Sequence, residues 1–259
     1  MRLNYQESGD GECVLLCGHG FPFDHTLWDA QRTALSARFR IITPDLRGFG
    51  ASPVGGRLTT MADMADDLAE LLDTLNLAKC VYCGLSMGGY VGWEFWNRHA
   101  DRLSGLVICD TNARADTPEA AANRLATADR VEQENQTALL TAGIGKLLAP
   151  ETIAATTPAV AIYRRMVETN NPQGVAAAAR GMAQRTDFTA RLSEIKLPAL
   201  VIAGEVDALS PPAAMRTLAA AMPNARVVVI PNAGHLTPIE NPAAVNTAIG
   251  EFLETLSRS

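Results

Sequence analysis

The chain has no uninterrupted apolar run near the roughly 18–20 residues that cross a bilayer. Its opening stretch, Met1-Arg2-Leu3-Asn4-Tyr5-Gln6-Glu7-Ser8, holds no apolar signal core. Cytoplasmic residence without membrane contact is the expectation. Positive charge is short: 22 Lys and Arg against 28 Asp and Glu leave −6. Such a surface displaces few counterions from a phosphate backbone, so nucleic acid is not an expected partner. Histidine occurs only at 19, 25, 99 and 235, and no second pair of ligands closes a tetrahedral zinc site, so no metal is expected. The cysteines are odd in number, at 13, 17, 80, 83 and 109. Cys80-Val81-Tyr82-Cys83 matches C-x-x-C, yet it lies inside an apolar run rather than on an exposed turn. Buried, unreactive thiols are expected.

What is present is ordinary globular usage, with 47% hydrophobic and 19% charged residues over 259 positions. Continuous apolar runs at Val14–Cys17, Arg40–Thr43, Cys80–Cys83, Leu106–Cys109, Leu200–Ala203 and Val227–Ile230 read as parallel strands covered on both faces. Arg2–Gln6 reads as an antiparallel strand leading into Val14. Thr60-Met61-Ala62-Asp63 is a capping box opening a helix with its stripe at Met64, Leu68, Leu71, Leu72 and Leu75. Asn241-Pro242 starts the last helix, towards Leu256. Strands alternating with helices imply an α/β fold with a mostly parallel open sheet and helices on both faces. The alternation stops between about Ala113 and Ala190, where alanine-rich helical stretches are interrupted at Pro118, Gly143, Gly145, Pro150, Pro158 and Pro172. This predicts a core of residues 1–112 and 191–259 with a helical insertion at 113–190, set where it would roof the carboxyl ends of the strands.

Gly84-Leu85-Ser86-Met87-Gly88-Gly89 lies between a strand and a helix. A tight strand-to-helix turn needs glycine two positions either side of Ser86, and it lifts the hydroxyl above the sheet at a helix N-terminus. Asn232-Ala233-Gly234-His235 follows the last strand and brings a base, His235, to the same end of the sheet. Because the imidazole must be neutral to take the serine proton, kcat/KM is expected to fall below a pH near the reference value of about 6.5. Gly204-Glu205-Val206-Asp207 follows the strand before it. Asp207 is the candidate to orient the imidazole, Asp110 at the end of Leu106–Cys109 is its rival, and Glu205 is assigned to its own turn. Cys17-Gly18-His19-Gly20-Phe21-Pro22 supplies an approach for backbone donors. The N–H groups of Phe21 and Met87 are the expected oxyanion donors and the nearest substrate contacts, and His19 braces the loop. Arg164, Arg180 and Arg185 are the candidates to hold a substrate carboxylate.

Taken in order, His19-Gly20-Phe21-Pro22, Asp45-Leu46-Arg47-Gly48-Phe49-Gly50-Ala51-Ser52, Gly84 to Gly89, Gly204 to Asp207 and Gly234-His235-Leu236-Thr237-Pro238 resemble the signature of the α/β-hydrolase superfamily. Within it the chain is similar to the branch of 3-oxoadipate enol-lactonases, small bacterial esterases and cofactor-free haloperoxidases (perhydrolases). The resemblance implies the α/β-hydrolase fold with a helical cap after the sixth strand and no cofactor. It implies a carboxylic ester hydrolase with triad Ser86, Asp207 and His235 acting on small esters or lactones. Enol-lactone hydrolysis, perhydrolysis and a non-catalytic binding module are the alternatives, and a homo-oligomer is left open. Residues 113–190 are rich in alanine and hold none of the three tryptophans, at 28, 93 and 96, which favours an apolar, roomy pocket over an arginine clamp.

Overall fold

The chain is described here by a computed structural model over residues 1–257. Seven strands form one sheet: β1 Tyr5–Ser8, β2 Val14–Gly18, β3 Arg40–Pro44, β4 Cys80–Leu85, β5 Leu103–Cys109, β6 Ala199–Gly204 and β7 Ala225–Ile230, in the order β1-β3-β2-β4-β5-β6-β7. All neighbours are parallel except β1 and β3. Strands β2, β4 and β6 are buried at every position, which is why they read as unbroken apolar runs. The leading strand begins later than Arg2 and pairs with β3 (Tyr5 opposite Pro44), not with β2. It is a half-exposed edge strand of sequence Tyr-Gln-Glu-Ser, so burial leaves little trace in its composition.

Helices cover both faces. Of α1 Asp29–Leu35, α2 Met61–Thr74 and α3 Met87–His99, the second and third pack on the face that carries Leu16, Tyr82, Ile108 and Val201. Helix α1 lies on the other face, over Leu15, Val81, Val107 and Leu200. Thr60 caps α2 through the expected reciprocal pair with Asp63. Alternation along β4 sends Cys80 to one face and Cys83 to the other, so this C-x-x-C cannot act as a pair. All five cysteines are free.

Between β5 and β6 run α4 Pro118–Glu134, α5 Ile144–Leu147, α6 Pro150–Ala154, α7 Pro158–Thr169 and α8 Pro172–Ala183. This helical stretch leaves the sheet after the fifth strand, not the sixth, because a single strand rather than two precedes β2. Its prolines do not interrupt helices. Four of them stand in the first turn of α4, α6, α7 and α8, where a missing N–H costs nothing and the fixed φ favours entry. Helices α9 Pro212–Ala220, α10 Thr237–Glu240 and α11 Pro242–Ser257 complete the chain. Val245, Ile249, Phe252 and Leu253 of α11 join α1 on its face of the sheet. No helix among the described residues is long and apolar enough to cross a membrane.

Candidate active site

Register brings the candidate residues to one edge of the sheet. Leu85, Cys109, Ile202 and Val228 lie side by side across β4, β5, β6 and β7. The chain therefore leaves β4 at Ser86 and β5 at Asp110 in the same row, while Asp207 and His235 sit on loops a few residues past β6 and β7. Ser86 holds φ 53° and ψ −111°, a conformation that costs an L-residue energy and persists only where the surroundings impose it. They do so here. Its N–H donates to Cys109 O at 3.0 Å and its carbonyl accepts from Thr111 Oγ1 at 2.7 Å and from Gly89 N at 2.9 Å. A Cβ at Gly84 would lie 2.3 Å from Gly88 O, and one at Gly88 would lie 2.3 Å from Gly18 O. Both flanking glycines are thus required by close backbone approach. The N–H groups of Phe21 and Met87 donate to no protein acceptor among the described residues.

His235 and Asp207 are together. Nδ1 of His235 lies 2.8 Å from Asp207 Oδ2, both side chains being almost wholly buried. The other carboxylate oxygen of Asp207 accepts from Leu209 N at 2.8 Å. Burial alone would raise the Asp207 carboxyl. The His235 hydrogen bond and charge, with the N–H groups of Leu209 and Ser210, outweigh it and hold the carboxyl below its ordinary value. Asp207 is therefore an anion facing the imidazole. Neither Ser86 Oγ nor His235 Nε2 hydrogen-bonds to another protein group among the described residues, so the structure joins base to acid and leaves the serine apart. Glu205, assigned by the sequence to its own turn, instead accepts Asn232 N–H at 3.0 Å and so ties the loop after β6 to the loop after β7 that carries His235.

Asp110 behaves otherwise. It is fully buried, its Oδ1 accepts Gly204 N–H at 2.7 Å, and its Oδ2 lies 2.6 Å from Thr237 Oγ1. Burial, then the charge of Asp207, pushes its carboxyl well above the usual range. Two neighbouring carboxyls are thus shifted in opposite directions, one held down by the histidine and one pushed up by burial.

His19 is fully buried, its Nδ1–H directed to Gly20 O at 2.9 Å and its Nε2 accepting Leu46 N–H at 3.0 Å. Burial pulls its imidazole below the ordinary value. It is a neutral brace of the loop before Phe21. Arg47 pairs with the buried Asp67 at 2.5 and 2.6 Å. Asp24, His25 and Asp45 bring ligand-type atoms within 4.8 Å of one another, but His25 Nδ1 is already 2.7 Å from Asp45 Oδ1 and Asp24 Oδ1 caps Thr26 N–H. An ion there would have to displace these bonds.

The three candidate arginines are dispersed. Arg180 binds Asp129 and Glu132 of α4, each at 2.8 Å. Arg185 lies 2.5 Å from the buried Asp116 and stacks 4.2 Å over the Tyr90 ring. Arg164 is exposed. Phe21, Leu139 and Leu140 pack, partly buried, against the apolar cluster that contains Met87.

Two residues that the sequence did not single out hold this region. Asn170, nearly fully buried, donates its amide to Pro22 O at 2.8 Å and to Met166 O at 2.7 Å, and accepts Gly50 N–H at 2.8 Å. It ties the end of α7 to the Phe21 loop. Glu240 binds the loop of His235. Each is a single polar residue at a helix end, and only partners distant in sequence reveal it.

A strained serine between a strand and a helix, a buried Asp–His pair at the same sheet edge and a seven-stranded doubly covered sheet define a class. A model of the alpha/beta hydrolase fold matches residues 14–242, and the chain belongs to that family. An esterase from Thermogutta terrifontis, solved with malate bound, superposes with a TM-score of 0.95 at 45% identity, covering 98% of this chain and 93% of that one. The enol-lactonase from Burkholderia xenovorans LB400 gives 0.89 at 31% identity over 97% and 96%. The 3-oxoadipate enol-lactonase 1 of Acinetobacter baylyi is 31% identical over 204 residues, 71% of this chain and 67% of its own.

Proposed function

We propose that the protein is a carboxylic ester hydrolase working through an acyl-enzyme. The observation that carries the reading is the buried 2.8 Å Asp207–His235 pair at the sheet edge where the elbow presents Ser86. In this reading His235 Nε2 takes the Ser86 proton as Oγ attacks the ester carbonyl. The free N–H groups of Phe21 and Met87 hold the oxyanion, helped by the N-terminus of α3. The proton then passes from His235 to the departing alcohol. Water, deprotonated by the same imidazole, attacks the acyl-enzyme and releases the acid, returning the proton to Ser86. Asp207 keeps Nδ1 protonated and stabilises the imidazolium. The similarity to an esterase at 45% identity supports this class of substrate. Residues 113–190 act as the roof that selects it.

Lactone hydrolysis is the second reading, favoured by the likeness to two enol-lactonases. Against an anionic substrate stands the disposition of the arginines, with Arg180 and Arg185 committed to acidic partners. Neutral p-nitrophenyl esters of short to medium acids are therefore expected to exceed carboxylate-bearing analogues in kcat/KM by about tenfold or more. Arg164→Ala and Arg180→Ala should leave that ratio unchanged. Arg185→Ala should mainly cost stability, about 2 kcal/mol by urea unfolding, through loss of its charged hydrogen bonds. A preference for the anions that disappears with one of these arginines would overturn the neutral-ester reading.

A further inference from the structure

The loop that carries His235 is fastened to the helical stretch above it as well as to the ends of β5 and β6. His235 donates its own N–H to Leu147 O at 2.8 Å. Glu240, five residues on and half-buried, spends both oxygens on the same junction. One oxygen accepts Gly234 N–H at 2.9 Å and Leu236 N–H at 3.2 Å, the two peptide groups on either side of the histidine. The other accepts Ala149 N–H at 2.7 Å and the Thr152 hydroxyl at 2.9 Å. A capping role for α10 would account for the first pair alone. It would not account for donors 91 and 88 residues away.

We infer that Glu240 is a positioning residue, hanging the His235 loop from residues 149–152 so that the base is placed by the insertion as well as by Asp207. Both its oxygens are taken by main-chain and hydroxyl donors and neither contacts the imidazole, so it acts through the loop and not on the substrate. The carboxylate form is needed, because four donors converge on two acceptor oxygens. An amide would turn its NH2 against one of these donor pairs. The charged or titratable groups near this junction are Asp207 on the imidazole and Asp110, whose carboxyl the Glu240 charge helps to raise. The inference rests on His235 being the base.

Glu240→Gln, Thr152→Val and His235→Gln, each in the full chain, test it on a neutral p-nitrophenyl ester. With the base displaced by a fraction of an ångström to an ångström, Glu240→Gln is expected to lower kcat by about 10²-fold with KM nearly unchanged. Thr152→Val removes one donor and no charge, and should lower kcat in the same direction by a smaller factor. A Glu240→Gln protein that melts earlier, yet keeps wild-type kcat where it is folded, would reduce Glu240 to a structural cap. Should that variant not fold, an unchanged kcat in Thr152→Val overturns the inference. Retained hydrolysis in His235→Gln would remove the base reading itself. An inactive His235→Gln beside wild-type kcat in the other two would remove only the positioning role.

Discussion

Ser86→Ala is expected to lower kcat by about 10⁵- to 10⁶-fold, the loss that follows removal of a nucleophile whose partners act as a unit. The variant should stay folded. Ser86 is held by its main chain, through Cys109 O, Thr111 Oγ1 and Gly89 N, and its hydroxyl caps nothing in α3. Alanine also leaves the φ of 53° no more strained than serine does, since both have a Cβ. A fluorophosphonate should add one label to the native protein, at Ser86, and none to the variant. A labelled Ser86→Ala protein would place the nucleophile elsewhere.

The second large effect separates two buried aspartates. Asp207→Asn presents an amide to His235 Nδ1, favours the wrong tautomer and should cost about 10⁴ in kcat. Asp110→Asn should retain most activity, because Asp110 touches Gly204 N and Thr237 Oγ1 rather than the imidazole. An asparagine can accept Gly204 N–H and set its amide NH2 against Thr237 Oγ1, a hydroxyl that accepts as well as donates. Stability should also report the difference. A carboxyl raised on folding gives stability that is complete below its unfolded value of about 3.9 and is lost as pH rises above it. Asp110 is so raised. The thermal midpoint of Asp110→Asn should therefore gain on the wild type as pH rises above about 4. For Asp207, held low by His235, the sign is opposite: its contribution is present above the unfolded value and fades as pH falls through the folded one. Reversed activity ranks for the two variants would move the acid to the end of β5.

The strands that place the site were legible because burial on both faces forces unbroken apolar runs. The elbow was legible because close backbone approach at Gly84 and Gly88 admits no side chain. Asp207 was separable from Asp110 only through its loop following β6, and what decides between them, which carboxylate meets Nδ1, is a distance. The bounds of the leading strand are poorly marked in sequence because Tyr5–Ser8 is polar and at an edge. The prolines of the insertion read as interruptions in sequence because proline in the first turn and proline inside a helix differ only by register with the helix start. Arg180 and Arg185 illustrate the remaining gap. A guanidinium reads the same in sequence whether it faces a substrate or Glu132 and Asp116, and Asn170 and Glu240 take their meaning from contacts that close long loops.

The insertion is pegged to the core at separated points. Residues 147–152 bear on the histidine loop, and Asn170 bears on the Phe21 loop. At Gly174 the backbones meet so closely that an added Cβ would lie 1.7 Å from Gly48 O. The stretch from 138 to 147 has no fully buried residue in its two short helical turns. The proposed roof and the proposed chemistry can therefore be engineered in separate portions. A graft confined to residues 118–146 would alter the insertion while leaving its contacts with the His235 loop and the Phe21 loop in place. An exchange of the whole insertion would withdraw both supports at once, and a hybrid made that way would lose turnover before its selectivity could be measured.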